Sequence, residues 1–139
     1  MADPVWSLHP RLKADTIALG DLALSRLLLM ADARYPWLLL VPRRTDAVEI
    51  IDLDDQTQAL LLTEIGQACR ALKQITPCDK LNVAAIGNIV PQLHVHVIAR
   101  NQGDATWPAP VWGIGSAVPY GEAERDRLIK ALRRAIGLE

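Results

Sequence analysis

The sequence predicts an α+β fold: an antiparallel β-sheet of about five strands with one long helix and one C-terminal helix. Three observations lead there. Aliphatic runs follow one another in hairpin order with turn residues between them. One stretch, Leu53 to Ile75, carries sustained helical periodicity. Helices fall between pairs of strands rather than after every strand, the order of an α+β chain and not of a βαβ one.

The elements follow in chain order. Leu8 to Asp15 is read as a short helix, with Pro10 tolerated in its first turn. Leu22 to Met30 and Trp37 to Arg43 are aliphatic and flank the turn-rich Asp32 to Pro36, so they are read as a hairpin. Leu is an indifferent strand former, and a helix stays open for the first of them. Val48 to Ile51 is read as a short strand or a turn.

In the long helix, Asp52 is placed to cap the N-terminus, and Asp54 and Asp55 fall where the helix dipole favours acidic groups. Leu61, Ile65, Cys69, Leu72 and Ile75 recur on one face, which is expected to be buried, and Pro77 ends the element. Leu81 to Ile86 and Leu93 to Ala99 are read as strands separated by a Gly87-Asn88 turn. Glu122 to Ile136 is the second helix, with Gly137 as its terminator. The 139 residues form one domain, with a core over about 22–100 followed by a Trp/Pro loop and helix over 101–139.

Composition narrows the function. Half of the residues are hydrophobic and Phe is absent, so the core is aliphatic. Fifteen basic against sixteen acidic residues leave a net charge of -1, without the basic footprint that nucleic-acid binders carry. The expectation is therefore no nucleic-acid partner. Cys69 and Cys78 have neither CxxC spacing nor the density of a disulfide scaffold. The N-terminus shows no signal peptide, and the apolar run Trp37 to Val41 is far short of a membrane span. A cytoplasmic protein without a membrane partner is expected.

The chemistry is concentrated on one strand. Strand alternation puts Gln92, His94 and His96 on one face and Leu93, Val95 and Val97 on the other. Neutral imidazole is both a nucleophile and a proton carrier near neutral pH, so two adjacent rings opposite an apolar row point to catalysis. A metal site is the alternative that the residues themselves offer. Zinc needs a third protein ligand, however, and the remaining histidine, His9, is remote in sequence.

The run Gln92-Leu93-His94-Val95-His96-Val97-Ile98 resembles the motif of the histidine triad (HIT) superfamily, His-φ-His-φ-His-φ-φ with φ apolar. Gly87-Asn88 fits the Gly-Gln or Gly-Asn step before that motif, and Leu38 to Arg44 looks like the family's strand ending in Pro and a basic residue. The segment Trp107-Pro108-Ala109-Pro110-Val111-Trp112-Gly113 is similar to a bacterial branch that also carries Gln at the first triad position.

The resemblance implies a nucleotide hydrolase or transferase acting at an α-phosphate, on phosphoanhydride or phosphoramidate bonds. His94 would be the nucleophile, its ring held by the backbone carbonyl of Gln92, and His96 would hydrogen-bond phosphate oxygens. Gly87 and Asn88 would contact the phosphate or the leaving group, and Asp32 would hold ribose hydroxyls, if it is not simply a turn former. The resemblance implies no metal and no cofactor for the chemical step, and it allows for a homodimer. Two departures stand out: Gln92 replaces the first His, and Trp37 stands where several members carry a further His. A domain that binds a nucleotide as a sensor without turnover is therefore the second reading. Trp37 either stacks on a base or fills the core. Trp107 and Trp112 either pack the tail onto the sheet or reach a subunit interface.

Overall fold

The computed structural model describes residues 3–138. Its elements are α1 (Pro10–Asp15), β1 (Thr16–Asp21), β2 (Ser25–Met30), β3 (Trp37–Pro42), α2 (Asp55–Ile75), β4 (Lys80–Ala84), β5 (Val95–Arg100) and α3 (Glu122–Ile136). The expected α+β class holds. Five antiparallel strands lie in the order β1-β2-β3-β5-β4.

The strand inventory differs in one place, β1, which periodicity does not reveal. Of the two readings of residues 48–51 the turn holds, as a loop running into a 3-10 turn, Ile50–Asp52. β1 escapes a reading by periodicity because it is short and interrupted. Its register shifts between Ala18 and Gly20, where Gly20 takes a φ of 148° that suits a residue without Cβ.

Both faces of the sheet are covered. On one, Leu27, Leu29, Leu38, Leu40 and Val97 pack with Ala68 and Leu72 of α2 and Leu132 of α3. On the other, Leu28, Leu39, Val41 and Ile98 pack with Leu12 of α1 and Val111 of the C-terminal loop. That is why every residue of β3 and β5 is buried, and why β3 reads as an unbroken apolar run instead of an alternating one.

The helix ends follow their capping chemistry. Asp54, not Asp52, caps α2, accepting from the Thr57 N–H at 2.8 Å. Asp52 instead accepts from the backbone N–H groups of Val48 and Glu49 and closes the preceding turn. Gly137 ends α3 with a φ of 82°. Glu64, on α2, is buried and accepts from the N–H groups of Leu24 and Ser25 at 2.8 and 2.9 Å, tying the helix to the start of β2. No described helix is long and apolar enough to cross a membrane.

Candidate active site

β5 and the segment leading into it deliver both histidines to the sheet face that α1 and the C-terminal loop cover. Leu93 and Val95 turn to the opposite side, against Leu53 and Leu61, as strand alternation requires. His94 and His96 are 7% and 5% exposed, so each is largely desolvated. They are not sealed in. Both line a cavity of about 320 Å³ together with Gly87, Asn88, Met30 and Trp112.

The two rings stand nearly at right angles, with centroids 5.0 Å apart and planes 72° apart. His94 Nδ1 lies 2.7 Å from the Gln92 carbonyl oxygen. A carbonyl only accepts, so Nδ1 bears a proton, and in the neutral ring Nε2 keeps its lone pair. His96 Nδ1 accepts from the Trp37 indole N–H at 3.0 Å. Burial, reinforced by the neighbouring His94, pushes the His96 pKa down to about 3, so this ring is neutral at physiological pH.

Gln92 serves the site through its backbone. Its side chain turns to the N-terminal segment, accepting from the His9 N–H and donating to the Ser7 carbonyl, both at 2.9 Å. The amide therefore anchors the start of α1. His9 is used in the same fold, its Nδ1 accepting from the Arg11 N–H at the helix start.

Gly87 has a φ of 68°, and a Cβ there would come within 3.3 Å of the Val90 carbonyl, so the turn needs glycine. Asn88 is exposed on the cavity rim, with no hydrogen bond to a described residue. Asp32 lines an adjoining recess, which shares Asp15, Met30 and Trp112 with the first. Both of its oxygens are engaged. They accept from the Arg34 guanidinium and backbone N–H and from the Val118 N–H, and the carboxylate is nearly buried. Burial disfavours its charge, but these donors outweigh that and hold its pKa below the usual carboxylate value. These bonds are those of a turn former. Contact with ribose would require Arg34 to give way.

Sequence reasoning left three tryptophans open, and the structure brings two of them to the site. Trp37 holds His96. Trp112 sets its edge against His96 and Trp37, with centroids 5.0 and 5.9 Å away. Trp107 lies elsewhere, beneath the buried guanidinium of Arg100. No motif points to Trp112, because its neighbours are far off in sequence. Among the described residues no group of three or more His, Cys, Asp or Glu side chains comes together as a metal cage, so His94 and His96 lack the third ligand that zinc requires.

The model of the HIT domain family matches residues 11–103, a longer span than the motif residues alone suggested. A histidine triad protein from Bradyrhizobium japonicum is 64% identical, with a TM-score of 0.94, covering 96% of this chain and 99% of its own. Histidine triad proteins from Sinorhizobium meliloti and Marinobacter aquaeolei are 44% and 43% identical, each with a TM-score of 0.92. They cover 94% and 96% of this chain and 97% of their own. The C. elegans NitFhit protein, 16% identical with a TM-score of 0.60, shares the fold. No curated protein matches the chain.

Proposed function

The chain belongs to the HIT domain family, and on that premise we propose that it is a nucleotide hydrolase or transferase working through a nucleotidyl-histidine on His94. One observation carries the reading. The His94 ring is held at Nδ1 by a carbonyl, which leaves Nε2 unprotonated beside a cavity that the Gly87-Asn88 turn borders.

In the first step the Nε2 lone pair forms a bond to the α-phosphorus. The bond from phosphorus to the leaving oxygen or nitrogen breaks, and the leaving group departs with that electron pair and takes up a proton from solvent. In the second step water attacks phosphorus and gives up a proton to solvent, the N–P bond breaks and its electron pair returns to Nε2. His96, neutral and with its free proton on Nε2, donates to phosphate oxygens, and Asn88 and the Gly87 backbone complete the cradle. Such donors, aimed where charge develops, contribute about 3 kcal/mol each. Gln92 takes part by its carbonyl, and Asp32 closes the nucleoside end by fixing Arg34 and the strand of loop at Val118.

The chemistry needs no metal or cofactor. The free thiols of Cys69 and Cys78 support a cytoplasmic location, where such thiols stay reduced. A homodimer is proposed through the exposed edge strand β4, with Val83 49% exposed, and sedimentation reads its mass.

The test is a panel of adenylyl and guanylyl phosphoanhydrides and phosphoramidates offered to wild type and His94→Ala, with acid-quenched protein analysed for a nucleotide adduct. Turnover in wild type, an adduct on His94 and a loss of at least about a thousandfold in the variant are expected. Full activity in His94→Ala would overturn the reading. Nucleotide affinity without any hydrolysis would move the protein to the sensor class.

A further inference from the structure

An indole N–H only donates, so the 3.0 Å contact from Trp37 Nε1 obliges His96 Nδ1 to accept. The proton of neutral His96 then sits on Nε2. The adjacent ring is fixed the other way round, because the Gln92 carbonyl 2.7 Å from His94 Nδ1 requires the proton there. Two neighbouring histidines are thereby held in opposite tautomers by two unlike partners.

We propose that Trp37 is a positioning residue whose indole N–H selects the Nε2–H tautomer of His96, so that β5 presents a free lone pair at one ring and a neutral donor at the next. Its catalytic consequence rests on the reading of His96 as a phosphate donor. The tautomer itself does not.

The sheet register explains how Trp37 comes to do this. It opens β3, directly across from Ile98, two pairs along from the Leu39–His96 pair and so on the same face of the sheet. Its indole therefore reaches His96 from the neighbouring strand, and both rings are buried. Trp112 closes against the pair from the other side and limits rotation of the imidazole. Protonating Nδ1 would set one N–H against another, in a site already short of water. The titratable side chains that share the cavity with His96 are His94 and Asp15, and neither bonds to its Nδ1. The lowering of the His96 pKa to about 3 agrees with a ring kept neutral.

The geometry also accounts for the departure at position 37. Nε1 of tryptophan and Nε2 of histidine are each two bonds from Cγ in a five-membered ring. The two rings can be superposed with the donor in one place, so either residue supplies the same N–H.

The experiment is long-range proton–nitrogen spectroscopy on protein labelled with ¹⁵N-histidine, alongside steady-state kinetics, for wild type, Trp37→Phe and Trp37→His. In wild type, His96 is expected to show a protonated Nε2 and a bare Nδ1, unchanged from about pH 8 to about pH 5. Trp37→Phe keeps most of the packing and removes the donor. Its His96 should become a mixture of tautomers that titrates within that window, with kcat down about tenfold, KM little changed and Trp37→His restoring both. A wild-type His96 protonated on Nδ1 would overturn the proposal whether or not a variant folds, as would an unaltered Nε2–H form in Trp37→Phe. Absence of turnover in all three proteins, with spectra as expected, would sink the hydrolase reading and uphold the tautomer assignment.

Discussion

A histidine ring has two nitrogens, and at this site each Nδ1 has its own partner, the Gln92 carbonyl for His94 and the Trp37 indole for His96. That accounting yields a prediction about acid stability. Unfolded His96 takes up a proton near 6.5, whereas the folded protein resists it to about 3. Between those values the unfolded state binds the extra proton, so folding stability falls as pH drops from 6.5 towards 3, at about 1.4 kcal/mol per unit for one proton. Above 6.5 this contribution is flat. Urea unfolding across that range checks it, and Trp37→Phe, with a His96 that protonates sooner, should show a shallower fall. At the neighbouring position, Gln92→Ala removes both bonds to the N-terminal segment. It should cost about 1–3 kcal/mol and raise KM by loosening the α1 wall, read by denaturation and kinetics. In the proposed mechanism Gln92 acts through its carbonyl, so Gln92→His is expected not to improve turnover.

Elements were legible in the sequence where a period was long and pure. α2 and α3 declared themselves by their apolar faces, and α3 also by its terminal glycine. β5 shows in its alternation, but β1 is hidden by a bulge, and residues 48–51, apolar except for Glu49, fit a strand or a turn alike, with Ile51 82% exposed in the turn that forms. The site was half legible. His94, His96, Gly87 and Asn88 lie within ten residues and meet as expected at one cavity. What Gln92 and Trp37 do depends on partners 83 and 59 residues away, which no local pattern encodes. Glu64 was equally hidden, a buried carboxylate inside an amphipathic helix. Glu64→Gln turns an acceptor into a donor facing two N–H groups. It should destabilise the protein by about 2–3 kcal/mol, visible in chemical denaturation without loss of helix. Leu40→Ala, in the doubly covered β3, should cost about 2–5 kcal/mol.

At the scale of the molecule, a buried ion pair holds the C-terminal loop in place. Arg100, at the end of β5 and 1% exposed, bonds Asp104 through two nitrogens and also reaches Asn82 and the Ala109 carbonyl. The bond from Arg100 holds the Asp104 pKa down to about 2, helped by backbone N–H groups of the same loop. The folded carboxylate thus stays charged below the 3.8 at which the unfolded one takes up its proton. Its contribution is present above that value and is lost as pH falls from 3.8 towards 2. Asp104→Asn should cost about 3–5 kcal/mol by leaving the guanidinium without its counter-charge, and proteolysis should then begin within residues 101–112. Arg34 pins the same excursion farther along, donating to the Ile114 carbonyl.

The wall that Trp112 builds against His96 comes from beyond residue 103, where the match to the family ends. On the proposed function, the two histidines and the wall against them are thus written in different stretches of the polypeptide. Lineages can diverge in what they accept by rewriting the later stretch while inheriting the earlier one intact. An engineer can do the same by transplanting that excursion between relatives, provided that Trp112 is kept against His96.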